Sequence, residues 1–192
     1  DAVIDYLSGS GSNSLTFRYT VAVGQISADL DYISSSALAA NGGSIQDGAG
    51  NNAILTLPVP GAAGSLGANK ALVIDGVAPD TTITSSPLIS TSVVSASFSF
   101  TGDDVGSGVA GFACQLDNSG FSACTPPLVF NDLSDGEHTF QARALDTVGN
   151  VDPTPASFTW IVDSTAPNTI IISAPLTITA VTTASFTFSG TD

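Results

Sequence analysis

The sequence has little positive charge and few of the side chains that carry catalysis. Lys70, Arg18 and Arg143 are the only cations against 17 acidic residues, so the net charge is −14. Binding to phosphate or to an anionic membrane surface needs a basic patch, so this composition argues against nucleic acid and anionic lipid as partners. His138 is the only histidine, and neither a Gly-x-Ser-x-Gly elbow nor a Gly-rich phosphate loop is present. We therefore predict that the chain is not an enzyme.

Methionine, a signal-peptide pattern and a long apolar run are also missing. No stretch of about 20 apolar residues exists, so we expect no membrane insertion within this segment. We expect the chain to be part of a longer polypeptide, with any signal for export or anchoring outside it.

Glutamate is nearly absent, because Glu137 is the single Glu among the 17 acids. Helices favour Glu over Asp, whose short side chain competes for backbone hydrogen bonds. Ser, Thr, Val, Gly and Asp dominate instead, and this composition is typical of strands and turns. The sequence predicts an all-β protein with almost no helix.

The chain repeats itself at a shift of 88 residues. Residues 73–104 align with 161–192 without a gap, and 16 of the 32 positions are identical. A repeat of this length is a small domain, so the chain is a piece of a tandem array. We predict one module over 1–78 that lacks its first strands, a complete module over 79–166, and the first strands of a further copy over 167–192.

Seven short strands alternate with period two in the region 79–166, which predicts a β-sandwich. Five strands are expected in 1–78, and Gly61–Ala68 is expected to be a flexible loop. The expected strands are Thr81–Ser85, Val93–Thr101, Val109–Asp117, Phe121–Thr125, Leu128–Asn131, His138–Asp146 and Ala156–Asp163 in the complete module, and Ala2–Leu7, Ser14–Val23, Ala28–Ser34, Ala53–Pro58 and Lys70–Ile74 in the first.

The two cysteines lie in the complete module and predict a disulfide. Asn118-Ser119-Gly120 is typical of a three-residue hairpin loop, which would place Cys114 directly opposite Cys124. A lone pair of cysteines without a nearby histidine is a poor zinc site. A bridge over this short loop contributes about 2–3 kcal/mol and implies an oxidising compartment.

The region 79–166 resembles the bacterial Ig-like repeats of large surface adhesins, and 1–78 resembles a second type of bacterial Ig-like repeat. Together the motifs span nearly the whole chain. They are specific for the fold and weak for any ligand. The motifs are Phe112-x-Cys114-x-Leu116-Asp117, Gly120-Phe121-x-x-Cys124, Leu133-x-Asp135-Gly136-x-His138-Thr139-Phe140, Asp146-x-x-Gly149-Asn150 and Trp160-x-Val162-Asp163 in the second module, and Leu15-Thr16-Phe17-x-Tyr19, Asp29-Leu30-Asp31-Tyr32, Asp47-x-x-Gly50-Asn51 and Asn69-Lys70 in the first.

The resemblance implies tandem Ig-like or fibronectin-like β-sandwich modules outside the cell or at its surface. It implies a structural extender, or stalk segment, that presents the binding domain of an adhesin, with neighbouring modules as its partners. A filament or biofilm component whose chains complete one another by strand exchange is the alternative, with other copies of the chain as partners. A carbohydrate-binding accessory module is a third, with Tyr6, Tyr19 and Tyr32 as candidate contacts.

An Asp-x-x-Gly-Asn motif occurs in both modules and predicts either calcium sites or turns. Asp and Asn oxygens are the hard ligands that calcium takes, and bound cations would relieve the negative charge. The same motif also fits a type I turn that needs no metal, so both interpretations stand. The candidate calcium ligands are Asp29, Asp31, Asp47, Asn51, Asp75, Asp80, Asp103, Asp104, Asp146, Asn150, Asp152 and Asp163.

Overall fold

The computed structural model describes residues 2–175, 177, 180 and 182–191, and these are nearly all in strands, turns and loops. Fourteen strands and one four-residue helix are present among them, which confirms the predicted all-β fold. Val181 and Asp192, which contribute to the sequence repeat, lie outside the described residues, as do Leu176, Ile178 and Thr179.

The chain divides into two compact units that do not follow one cut in the sequence. The first unit holds the chain up to Asp80 together with Gly102–Gly111 and Ala144–Pro153. The second unit holds Thr81–Thr101, Phe112–Arg143 and the chain from Thr154 onward.

Short elements form the first unit. Strand β1 (Tyr6–Ser8) pairs with β2 (Thr16–Phe17), and β3 (Ile26–Ser27) pairs with β4 (Ile74–Asp75), both antiparallel. The helix α1 (Leu66–Asn69) lies between β3 and β4 in the sequence.

The expected strands of residues 1–78 are mostly shorter than predicted, and two are absent. Of Ser14–Val23 only Thr16–Phe17 is a strand, and neither Ala28–Ser34 nor Ala53–Pro58 contains one. Polar side chains take some of the backbone donors in Ser14–Val23 and Ala28–Ser34, and such bonds compete with a β-ladder. Asp31, for example, accepts from the Tyr32 N–H at 2.9 Å. In Ala53–Pro58 isolated backbone bonds are present instead, since the Ala53 N–H donates to Ile45 and the Leu57 N–H donates to Ser35, each at 2.8 Å.

The expected flexible loop Gly61–Ala68 instead contains the start of α1. Ser65 is fully buried and caps this helix, since its Oγ accepts from the Ala68 N–H at 3.1 Å. A serine N-cap satisfies an amide that has no partner within the helix.

All seven strands predicted for 79–166 are present, with ends that differ by a few residues. They form one three-stranded sheet, in the order β10-β7-β5, and one five-stranded sheet, in the order β6-β12-β11-β8-β9. The short strand β6 is additional and runs parallel to β12. The bounds are β5 Asp80–Ser85, β6 Ser90–Thr91, β7 Ala96–Asp103, β8 Val109–Leu116, β9 Ser122–Cys124, β10 Leu128–Phe130, β11 Gly136–Asp146 and β12 Ala156–Val162.

The second unit has an aromatic core made from residues that alternate along the strands, such as Phe98 and Phe100 in β7. Phe98 and Phe140 are fully buried and stack with their ring centroids 4.1 Å apart. Trp160 is 1% exposed and lies 5.2 Å from Phe98, so the single tryptophan is a core residue. Burial of such rings supplies most of the favourable free energy of a small domain.

The disulfide between Cys114 and Cys124 is formed, with the Cα atoms 5.8 Å apart, but the predicted strand register is wrong. Cys124 pairs with Phe112 and Cys114 pairs with Ser122. Asp117 and Asn118 both adopt left-handed backbone angles, so the turn comes earlier than the expected three-residue loop. The bridge therefore joins diagonal neighbours on the two strands.

A two-stranded hairpin follows the sandwich strands in the sequence. Strand β13 (Asn168–Ser173) pairs antiparallel with β14 (Thr187–Thr191), and Ile171 lies opposite Phe188. These strands are the sequence copies of β5 and β7.

Candidate metal centre

Three segments of the first unit bring carboxylates together. Asp75 ends β4, Asp104 follows β7, and Asp146 ends β11. One oxygen from each lies within 4.8 Å of the others, and these residues are the one such group in the part of the chain that the structure describes. Asp75 is 8% exposed and Asp146 is 4% exposed, while Asp104 is partly buried.

The loop from Asp146 to Asn150 wraps its backbone around one carboxylate. Asp146 Oδ1 accepts from the N–H groups of Val148, Gly149 and Asn150 at 3.0, 2.7 and 2.8 Å. Gly149 has a φ of 101°, a conformation that residues with a Cβ rarely adopt. The Asp-x-x-Gly-Asn motif is thus a turn closed by its own aspartate, as one of the two interpretations predicts.

The amide of Asn150 links this turn to the segment that follows β4. Its Nδ2 donates to Asp146 Oδ2 at 2.7 Å and to the carbonyl oxygens of Asp75 and Val77, each at 3.1 Å. One side chain therefore fixes the chain around Asp75 against the turn.

The loop after β7 supplies the third side of the centre. Asp104 Oδ2 accepts from the N–H groups of Gly106 and Gly108 at 3.2 and 2.6 Å. The Ser107 N–H donates to Asp75 Oδ2 at 2.6 Å, and the Val77 N–H donates to Asp75 Oδ1 at 3.0 Å. The Ser107 side chain and then the Val77 N–H lower the pKa of Asp75, so it is ionised at neutral pH.

Gly106 and Ser107 are contributors that the sequence analysis missed. A Cβ on Gly106 would lie 2.3 Å from the carboxyl carbon of Asp75, so only glycine fits this position. The spacing Asp104-x-Gly106-x-Gly108 is the signal that a tight, anion-holding loop leaves in the sequence.

The centre concentrates negative charge without a cationic side chain. Among the described residues, no Lys or Arg forms an ion pair with Asp75, Asp104 or Asp146. Backbone donors compensate part of this charge, but Asp104 Oδ1 is shielded from solvent and has no hydrogen-bond partner. Carboxylates held this closely repel one another, and a cation among them would remove the repulsion. These three side chains could therefore hold a metal ion.

The other copy of the motif closes on itself. Asp47 Oδ1 accepts from the N–H groups of Ala49 and Asn51, each at 2.9 Å, and Asp47 Oδ2 accepts from Asn51 Nδ2 at 2.7 Å. The Asn51 side chain is the main cause of a lowered pKa of Asp47. Asp47 is not part of the carboxylate group described above.

Asp29 and Asp31 converge elsewhere in the first unit. A Cβ on Gly67 would lie 3.0 Å from Oδ2 of each. Asp29 accepts from the Leu72 N–H at 3.2 Å, and Asp31 accepts from the Gly61 N–H at 3.1 Å. These carboxylates hold the ends of the segment that contains α1.

The remaining candidate ligands are not members of the three-carboxylate group. Asp80 begins β5 and Asp103 ends β7, and both are exposed. Asp152 is 2% exposed, and its N–H donates to the Ala144 carbonyl at 3.0 Å. Asp163, the repeat counterpart of Asp75, accepts from the Thr165 N–H at 3.1 Å and is exposed.

Asp135, which the sequence analysis named only as a motif position, holds the residues that follow β12. Its Oδ1 accepts from the N–H and the hydroxyl of Ser164 at 2.9 and 2.6 Å, and its Oδ2 accepts from the Thr165 hydroxyl at 2.7 Å. The Ser164 hydroxyl is the main cause of its lowered pKa.

His138 and the tyrosines are engaged in contacts within the chain. His138 Nδ1 lies 2.7 Å from Asp117 Oδ2, and Nε2 lies 2.9 Å from the Ser134 carbonyl, so both ring nitrogens are used. The hydroxyls of Tyr19 and Tyr32 donate to Gln25 and Pro58, each at 2.8 Å, and the Tyr6 hydroxyl lies 2.7 Å from Ser10 Oγ.

Within the described residues no helix has the length and apolar character needed to cross a membrane. A comparison with protein-family models finds no match, and a comparison with curated proteins finds no significant match.

Proposed function

We propose that this chain is a structural extender of a secreted or cell-surface protein, built from tandem β-modules and stiffened by a calcium ion at Asp75, Asp104 and Asp146. The ion would fix the segment from Asp75 to Asp80 against the loops that contain Asp104 and Asp146. That segment leads from the first sequence module to the second. Its stiffness would set how the module array extends.

The convergence of three carboxylates on one point carries the proposal. They come from positions 75, 104 and 146, which are far apart in sequence, yet their oxygens lie within 4.8 Å. The unpartnered, shielded Oδ1 of Asp104 supports a ligand role, because a carboxyl oxygen removed from solvent without a hydrogen bond is costly. A divalent cation would satisfy it and offset the repulsion among the three charges.

The donor set favours calcium over other metals. Every side chain of the centre offers oxygen, and calcium and magnesium prefer oxygen ligands, whereas zinc and copper favour nitrogen and sulfur. The only histidine is bonded to Asp117, and both cysteines are in the disulfide. Calcium also tolerates irregular coordination, which suits ligands drawn from three loops better than the strict octahedron of magnesium.

The disulfide supports a location outside the cytoplasm. Disulfides persist in oxidising compartments and are rare where thiols are kept reduced. Extracellular fluids also contain calcium at concentrations that suit sites of modest affinity.

Thermal unfolding with calcium and with a chelator tests the metal centre. We expect calcium to raise the unfolding midpoint by several degrees, since a ligand at a hundred times its Kd adds about 2.7 kcal/mol of stability. Asp104→Asn should remove most of this shift. Asp103→Asn is the matched control, because it removes one charge at the adjacent exposed residue and should keep the shift. An equal response of both variants would contradict the proposal.

Small-angle scattering tests the mechanical role separately. With calcium, we expect a longer and narrower distribution of intramolecular distances than with chelator, and Asp104→Asn should resemble the chelated protein. If the distribution is the same with and without the ion while the midpoint still shifts, the centre binds metal but does not stiffen the array.

A further inference from the structure

Strand β13 is a copy of β5 that differs from it at three informative positions. Asn168 replaces Asp80, Ile170 replaces Thr82, and Ile172 replaces Thr84. The residues between them are unchanged, since Thr169 matches Thr81 and Ile171 matches Ile83. The copy has therefore lost a charge and gained two large apolar side chains.

The two new isoleucines lie on the face that the module core does not use. In β5, Thr81 is 7% exposed and Ile83 packs against the core, while Thr82 and Thr84 point outward and are exposed. Ile170 and Ile172 align with these two threonines, so they occupy the positions of β13 that point outward in the complete module. They are 56% and 60% exposed. Packing inside a module of this type does not require them.

β13 also presents an open edge. Its counterpart β5 is at the edge of the sheet ordered β10-β7-β5, and among the described residues β13 pairs with β14 alone. Regular pairing with β14 runs from Asn168 to Ile171, and the irregularity comes after it. An edge strand that is apolar, uncharged and free of proline pairs readily with another strand, and natural proteins usually block such edges with charge.

The absence of charge in β13 and β14 favours a second copy of this chain as the partner of the open edge. Two copies of a chain with net charge −14 repel each other over most of their surfaces, but β13 and β14 contain no charged residue. Antiparallel pairing of β13 with itself is self-complementary, as a two-fold interface requires. It places the outward isoleucines of both copies on one face, where cross-strand apolar pairs add stability. A polar or charged partner strand would leave Ile170 and Ile172 exposed.

We propose that the outer edge of β13 pairs antiparallel with β13 of a second copy of this chain. The occupant of the edge is thus the strand Asn168–Ser173 of another molecule. In a tandem array, such pairing would join neighbouring polypeptides side by side, a function beyond that of an isolated extender.

Sedimentation equilibrium over a range of protein concentrations tests the pairing. We expect the wild-type mass to rise towards twice the chain mass, and to do so at lower protein concentration when salt screens the repulsion. The triple variant Asn168→Asp, Ile170→Thr, Ile172→Thr restores the sequence of β5 and should weaken the association at least tenfold. The double variant Ile33→Thr, Ile54→Thr is the control, because it removes two isoleucines that are 71% and 89% exposed elsewhere.

The triple variant could weaken association simply because it disrupts the pairing of β13 with β14. A reciprocal variant, which changes β5 instead, tests for this. Asp80→Asn, Thr82→Ile, Thr84→Ile gives β5 the sequence features of β13 and should produce species larger than dimers. A monomer at every concentration and salt level would overturn the proposal, as would equal weakening by the control. Association that survives the triple variant but is lost in Phe186→Ser, Phe188→Ser would assign the contact to the opposite, core-type face and would also overturn it.

Discussion

The two Asp-x-x-Gly-Asn loops are alike within the motif and different outside it. In both, the aspartate accepts backbone N–H groups of its own turn and the amide of the asparagine, at 2.7 Å in each case. Asn150 also holds two carbonyl oxygens of the segment after β4, and Asp146 lies beside Asp75 and Asp104. Among the residues that the structure describes, neither Asp47 nor Asn51 makes a comparable contact beyond its own loop.

The motif therefore encodes a turn, and neighbouring segments give one of the two turns a further role. Every residue of the pattern is exposed at 47–51, whereas in the second copy Asp146 is buried and Asn150 is partly buried. A sequence motif of turn residues is therefore weak evidence for metal by itself. The convergence of other carboxylates on it is what distinguishes the second loop.

The largest expected difference between the loops comes from removing the asparagine. Asn150→Ala deletes three hydrogen bonds and leaves the carbonyls of Asp75 and Val77 without this donor, so we expect a loss of about 3 kcal/mol in the free energy of unfolding. Asn51→Ala removes one exposed side-chain bond and should cost about 1 kcal/mol. Urea unfolding of both variants measures the difference.

Both variants are measured in calcium-free buffer, because a difference in their free energies of unfolding then comes from the hydrogen bonds and not from bound metal. Equal losses from the two variants would mean that the contacts of Asn150 beyond its loop add nothing to stability.

Much of the second unit could be predicted from its sequence, and less of the first. Alternation of apolar and polar residues in 79–166 is regular, and burial of Phe98, Phe140 and Trp160 on the predicted faces follows from it. In 1–78 the apolar residues lie among Asp, Ser and Gly, whose local hydrogen bonds compete with strands. Propensity predicted strands there, but side-chain acceptors and isolated backbone bonds are present in place of most of the expected ladders.

The types of residue in the carboxylate centre could be predicted from the sequence, but which of these residues lie close to one another could not. Asp75, Asp104 and Asp146 were among the twelve candidate ligands, but the sequence did not indicate that these three meet. Nor did it indicate that Gly106 leaves the space beside the Asp75 carboxylate. Such proximity depends on loop conformation, which periodicity does not encode. The disulfide register failed for the same reason, because left-handed angles at Asp117 and Asn118 moved the turn.

We expect a smaller loss of stability, equal in the two loops, when the glycine of either loop is replaced. Gly50 and Gly149 have φ values of 87° and 101°, and an added Cβ would meet no atom within 4 Å in either loop. Gly50→Ala and Gly149→Ala should therefore each cost about 1–2 kcal/mol from backbone strain alone. Urea unfolding of both variants should give values that agree within error, in contrast to the asparagine pair. Unequal costs would mean that the two turns differ in their backbone as well as in their surroundings.

The smallest expected effect is in the titration of Asp47, which reports on the motif without the neighbouring carboxylates. The Asn51 amide, and then backbone N–H groups, lower the pKa of Asp47 below its ordinary value of 3.8. A lowered folded-state pKa stabilises the folded protein above that ordinary value, and the contribution is lost as the pH falls through the folded pKa. Carboxyl carbon chemical shifts followed by NMR should show Asp47 titrating at lower pH than an ordinary aspartate, and Asn51→Ala should raise its midpoint. If the midpoint of Asp47 is already ordinary in the wild type, the side-chain bond to Asn51 does not stabilise the ionised turn, and the likeness of the two loops is one of backbone shape alone.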